Sequence, residues 1–139
     1  MAHEITLKDN VVLHRQAAWH GLGVLVDDAP TPQEAVKIVF PWTVIQKPMF
    51  IRISDDKHQV IEGHMGNFRS DTFDQLGVVS ENYQVVQPMD MADFCSALLD
   101  QGGVTCETAG SIRGGKRIWF LLKGEGFEVM NGDKMFPYI

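Results

Sequence analysis

The strongest constraint in this chain is a helical face followed at once by a hairpin. Met91, Phe94, Cys95, Leu98 and Leu99 recur at i, i+3, i+4, i+7 and i+8, which puts all five on one side of an α-helix. Asp90 is suited to cap that helix and Asp93 lies in its favourable first turn. Gly102-Gly103 supplies a left-handed stop. Val104-Thr105-Cys106-Glu107-Thr108 then alternates as a strand, and Arg113-Gly114-Gly115-Lys116 predicts a two-residue Gly-Gly turn. Arg117-Ile118-Trp119-Phe120-Leu121-Leu122 returns with apolar groups on both faces, which predicts a central strand.

The remaining elements agree with that pattern. Thr31, Pro32 and Glu34 form a helix start with a capping box, and Ala35, Ile38 and Val39 form its apolar stripe up to Pro41. Before it, Val11-Val12-Leu13 and Val24-Leu25-Val26 read as short strands, with Gly21 and Gly23 at a bend beside Trp19 and His20. After it, Trp42-Thr43-Val44-Ile45 is a strand that Pro48 leaves short or at an edge. Met49-Phe50-Ile51-Arg52-Ile53 alternates as a half-buried strand, turns at Asp55-Asp56-Lys57, and Gln59-Val60-Ile61-Glu62-Gly63 returns antiparallel. Asn67-Phe68-Arg69 is a short strand at best, and Ser70-Asp71-Thr72 opens a polar loop. Val78-Val79 and Tyr83-Gln84-Val85-Val86 read as two more strands, ended by Pro88. Asn131-Gly132 between Phe127-Glu128-Val129-Met130 and Lys134-Met135-Phe136 is a strong hairpin signal. The fold class is therefore α+β: a mostly antiparallel sheet of several short strands and hairpins, with two main helices packed on it.

At 139 residues the chain fits a single α+β domain over 1–139. It ends in apolar, strand-like Phe136-Pro137-Tyr138-Ile139, which is expected of the N-terminal portion of a longer protein. Its net charge of −6 counts against a dedicated non-specific nucleic-acid binder but leaves room for a local basic face. No apolar run reaches the roughly 18 residues of a membrane span. Cys95 and Cys106, without a secretory leader ahead of them, are expected to be free, buried thiols in a reducing bacterial cytoplasm.

No motif calls for a cofactor. His3, His14, His20, His58 and His64 lack metal-ligand spacing, and no CxxC is present. Ser80 and Ser111 lack a nucleophile-elbow context, and no P-loop occurs. No catalytic residue stands out. The basic cluster Arg113, Lys116, Arg117 and Lys123, interleaved with Trp119 and Phe120, is the better signal. Cations at a glycine tip follow a phosphate backbone, and an aromatic stacks on an unpaired base. Arg52 and Arg69 are candidates to extend that face. The plainer alternative is a hairpin whose charges keep its edge wet.

Four segments in order, AWHGLG (18–23), the Thr31-Pro32 helix start, LGVVSENYQVVQP (76–88) and TAGSIRGGKRIWFLLK (108–123), resemble the phage/plasmid-like protein family, domain-of-unknown-function family 932. Members are longer, continuing past the point where this sequence stops. The resemblance implies a phage, prophage or plasmid origin. It carries no established reaction. A helix beside a basic, glycine-containing hairpin also looks like the core of phage single-strand annealing proteins, a likeness of architecture alone.

Three expectations follow. The first is a non-enzymatic DNA-transaction protein contacting single-stranded DNA through Arg113, Lys116, Arg117, Lys123 and Arg52, with a homo-oligomer as one arrangement. The second is an interaction module for a host or phage protein, marked by an exposed apolar patch. The third is an enzyme completed by later residues, with a cleft lined by His20, His58, His64 or Asp71. None of the three involves a membrane.

Overall fold

The computed structural model describes residues 9–15, 23–100, 104–130 and 132–139, with the Met130 side chain left out. The predicted features at Trp19, His3, His20, Gly21, Gly102-Gly103 and Asn131 lie outside them. The chain divides into two compact units, residues 1–41 with 88–139 and residues 42–87. Both are built from strands paired antiparallel, apart from one parallel pair, short in the first unit and up to 13 residues long in the second, and the chain has two α-helices among the described residues, so the α+β class holds. No helix among the described residues is long and apolar enough to cross a membrane.

The first unit holds β1 (Val11–His14), β2 (Val24–Val26), α1 (Pro32–Val39), α2 (Pro88–Leu99), β6 (Thr105–Ile112), β7 (Arg117–Lys123), β8 (Phe127–Met130) and β9 (Asp133–Met135). The second holds β3 (Val44–Ser54), β4 (Lys57–Arg69) and β5 (Gln75–Ser80).

In the first unit four strands run in the order β2-β1-β6-β7. Helix α1 forms where its capping box predicts. The Thr31 hydroxyl accepts from the Glu34 N–H at 3.2 Å, and the Glu34 carboxylate accepts from the Thr31 N–H at 2.9 Å. Each bond satisfies an amide that the first turn leaves open. The buried stripe is Pro32, Ala35, Val36 and Val39, so Val36 takes the place expected of Ile38. Gln33 ties the two helices together. Its amide nitrogen donates to Asp93 at 3.0 Å and its oxygen accepts from the Ser96 hydroxyl at 2.8 Å.

Helix α2 is turned from its expected setting. It starts at Pro88, so Asp90 lies inside the first turn rather than ahead of it. Ala92 and Cys95 are buried, whereas Met91 is exposed and Phe94 is 62% exposed. Ala92 and Ala35 have no exposed surface and sit on helices that pack on each other. Small side chains such as these allow two helices to approach closely, and Phe94 faces solvent instead. Below α2, Cys95, Cys106 and Leu122 form a core cluster with Leu98, Leu99, Val104 and Phe120.

Strand β7 is an edge strand, not the central strand its composition predicts. Its two apolar faces have separate causes. Ile118, Phe120 and Leu122 alternate with Arg117, Trp119, Leu121 and Lys123. Phe120 meets Phe40 at the end of α1, ring centroids 5.8 Å apart, and Leu122 joins the cysteine cluster. Trp119 belongs to the other face. The outer edge of β7 is covered at one end, where Leu122 and Ile139 exchange two backbone hydrogen bonds of 2.9 Å. The hairpin β8–β9 spans the predicted Asn-Gly turn.

The second unit is an antiparallel meander, β3-β4-β5. The two strands expected on either side of Pro48 are one strand. It passes through the proline because β3 is an edge, where a missing N–H breaks no ladder. Gln59–Gly63 and Asn67–Arg69, read as separate pieces, are both parts of β4. Residues 83–86 form no strand. The Tyr83 carbonyl instead accepts from the Gln46 side chain at 3.3 Å. The segment 49–53 is not half-buried. Phe50 is 59% exposed and Ile53 53%, with Ile51, Val60 and Ile61 exposed beside them. Strand β5 pairs only with His64 to Phe68 of β4, so the outer part of the β3–β4 ribbon has no third strand in its unit.

Candidate nucleic-acid interface

The β6–β7 turn is more ordered than a Gly-Gly tip suggests. Arg113, Gly114 and Gly115 all take left-handed backbone angles, with φ of 55°, 71° and 93°. They form a short 3-10 turn inside a four-residue loop, since Ile112 pairs with Arg117. Successive left-handed residues point their N–H groups into one concavity, a nest suited to an anion. Here the anion is Asp9. Its carboxylate accepts from the Gly114 N–H at 2.9 Å, the Gly115 N–H at 3.0 Å and the Ser111 hydroxyl at 2.7 Å. Asp9 is 7% exposed and Gly115 is buried. Charge-assisted hydrogen bonds in a buried site are strong, so the turn is clamped from below.

That clamp leaves Arg113, Lys116 and Arg117 exposed on a fixed backbone. The other two predicted contact residues are elsewhere. Lys123 is at the far end of β7, roughly 20 Å along the strand from Arg117. Its ammonium lies 3.9 Å from the Glu107 carboxylate and 4.4 Å above the Phe136 ring. Arg52 belongs to the second unit, where it pairs with the exposed Asp55. Arg69, a candidate extension, is buried. It stacks on Trp42 at 4.6 Å and holds both carboxylate oxygens of Asp71 at 2.9 and 2.7 Å. The Arg69 hydrogen bonds hold the Asp71 carboxyl below its ordinary range.

The structure separates the two aromatic residues of β7. Phe120 is core. Trp119 pairs across the sheet with Gly110, and a Cβ added at Gly110 would stand 2.5 Å from the indole six-membered ring. The end of the six-membered ring therefore occupies the space a side chain at Gly110 would need, and the residue stays half-buried. Arg117, Leu121 and Lys123 share its face of β7.

A second cluster escaped the sequence reading. His14 Nδ1 lies 3.4 Å from Glu107 Oε1, the oxygen that Lys123 also approaches. The His14 side chain is 10% exposed, and its Nε2 is buried without a hydrogen-bond partner. These residues line an open cleft of about 500 Å³ with Arg15, Gly124, Gly126 and Phe136. The antiparallel pairing of β1 with β6 and of β6 with β7 brings them together, and no local spacing announces that. Asp9 was missed for the same reason. Its partners lie more than a hundred positions away.

The other reactive groups are quiet. Cys95 and Cys106 are free and buried. Burial, then the neighbouring Cys95 and Glu107, push the Cys106 thiol up to about 11, far from a nucleophile's range. His58 and His64 are exposed on β4, and Asp71 is held by Arg69. Among the described residues no group of His, Cys, Asp and Glu has the geometry of a metal site.

The family model described as "Domain of unknown function (DUF932)" matches residues 75–139. The matched stretch contains α2, the basic turn and β7. The 18–23 and Thr31-Pro32 motifs and Asp9 lie ahead of it. No curated protein and no solved structure matches the chain.

Proposed function

Starting from a chain whose residues 75–139 match the DUF932 family model, we propose a non-enzymatic DNA-transaction protein of a mobile genetic element. It contacts single-stranded DNA through the β6–β7 turn. The observation that carries this reading is the clamp. Arg113, Lys116 and Arg117 project from a backbone held by Asp9, so little chain entropy is lost when they meet a phosphate backbone. The overall charge of −6 confines the contact to that turn and the adjoining strand. Lys123 and Arg52 take supporting roles at most, because one lies at the far end of β7 and the other in the second unit.

The test is a salt series with a labelled oligonucleotide. The parent protein is expected to bind more weakly as salt rises, by about 0.7 in logarithmic slope per phosphate neutralised. The R113E/K116E/R117E triple variant is expected to lose binding at least tenfold and to lower the slope by about two. Undiminished binding by that variant would rule this reading out.

One observation favours a second reading, an interaction module. The outer β3–β4 ribbon presents Phe50, Ile51, Ile53, Val60 and Ile61 to solvent. Its nearby charges balance, with Lys47, Arg52 and Lys57 against Asp55, Asp56 and Glu62, which suits a protein surface better than a polyanion. Sizing the protein alone and with host lysate, in parent and I51D/I53D forms, tests it. An identical profile for both forms in both conditions would exclude the ribbon.

A further inference from the structure

We infer that Trp119 is a base-stacking platform, which gives the proposed interface its preference for unpaired strands. The inference rests on the single-strand reading above and adds the part of the ligand that the cations do not recognise. Cations on a turn read phosphates, and phosphates are common to single strands and duplexes. Only an aromatic face accessible beside them reads an unpaired base.

Four observations converge on Trp119. It lies on the face of β7 opposite Phe120 and Leu122, the residues that meet Phe40 of the α1 end and the α2-side cysteine cluster. Its cross-strand partner is Gly110, the one residue type without a side chain to tilt the ring away from the sheet. Val11 flanks the same spot, so the ring is packed against backbone and aliphatic carbon while the residue keeps part of its surface in solvent. Arg117 and Lys123 sit on the same face, two positions before and four after. A strand held at Arg117 and running along β7 thus passes over the indole before it reaches Lys123. Stacking on a π-face is indifferent to base identity, so the preference is for any base over none.

The experiment compares a thymine oligonucleotide with an abasic oligonucleotide of equal length and equal phosphate count, at low salt. The parent protein is expected to favour the thymine strand roughly tenfold, the order of one stacked base. W119L is expected to bind both strands at the abasic level with the parent's salt slope, and W119F to retain most of the preference. A W19F/W42F protein, in which Trp119 is the sole tryptophan, serves as a measurement that leaves Trp119 intact. Its fluorescence is expected to be quenched by the thymine strand and unchanged by the abasic one. Equal, salt-dependent binding of both strands by the parent overturns the stacking inference and leaves the cationic contact standing. Binding of neither strand overturns both.

Discussion

Asp9 Oδ1 and Ser111 Oγ stand 2.7 Å apart, both residues buried and 102 positions apart in sequence. The same carboxylate takes the N–H groups of Gly114 and Gly115, so one side chain near the start of the chain sets the conformation of a turn near its end. Asp9→Ala is expected to deprive two amides and a hydroxyl of the carboxylate they donate to, at a cost of about 3 kcal/mol. Urea unfolding measures the loss. Amide exchange at Gly114 and Gly115 should quicken well beyond that at Ala109. Uniform protection across all three would mean that the turn holds its shape unaided.

Gly110 is expected to tolerate no larger residue. A Cβ there would meet the Trp119 ring at 2.5 Å and Val11 at 3.0 Å. Gly110→Val should lift the indole from the sheet and cost about 1–3 kcal/mol, the usual range for overpacking. The emission maximum of Trp119 should move to the red at the same time. An unshifted spectrum in a destabilised variant would place the strain in the backbone instead.

Cys106 makes the fold sensitive to alkali. The folded protein keeps the thiol proton up to about 11, against an ordinary value of 9.0. Above pH 9 the unfolded chain releases a proton that the folded chain retains, so stability is present below that point and falls as pH rises toward 11. Cys106→Ala should flatten that decline. Thiol reagent at pH 8 should leave both cysteines unmodified in the folded protein and label both in denaturant.

Helix α1 has the opposite pH response. Hydrogen bonds from the Thr31 backbone and hydroxyl hold the Glu34 carboxyl below its ordinary 4.5, so the capping box stabilises above that value and loosens as pH falls through the lower, folded one. The Arg69 contacts act on Asp71 in the same direction. Glu34→Gln is expected to remove part of the acid dependence of α1 amide protection. An unchanged acid limb would mean that the capping box does not set it.

Local chemistry was legible where it acted alone. Thr31, Pro32 and Glu34 announce a helix start because every partner lies within three residues. Asn131-Gly132 announces its hairpin for the same reason. The readings that failed depend on what a strand or helix meets. Leu121 and Leu122 imply a central strand, yet β7 is an edge that is apolar twice over, against the helices on one side and across Gly110 on the other. Phe94 has the spacing of a core residue, but α2 buries Ala92 and Cys95 and leaves Phe94 facing solvent. Arg113, Lys116 and Arg117 were found from charge alone. Asp9 and the His14–Glu107 pair need the topology, since nothing nearby in sequence marks them.

The clasp at the base of the second unit has a consequence for how the chain tolerates change in length. The Gln87 side chain donates to the Val44 carbonyl at 2.9 Å and accepts from the Val44 N–H at 2.8 Å, standing in for a neighbouring strand. The last residue of the 42–87 segment is thereby fastened beside its beginning. With both ends of that segment held together, extra or missing residues toward the Asp55-Asp56 end of the ribbon lengthen or shorten it without parting the clasp.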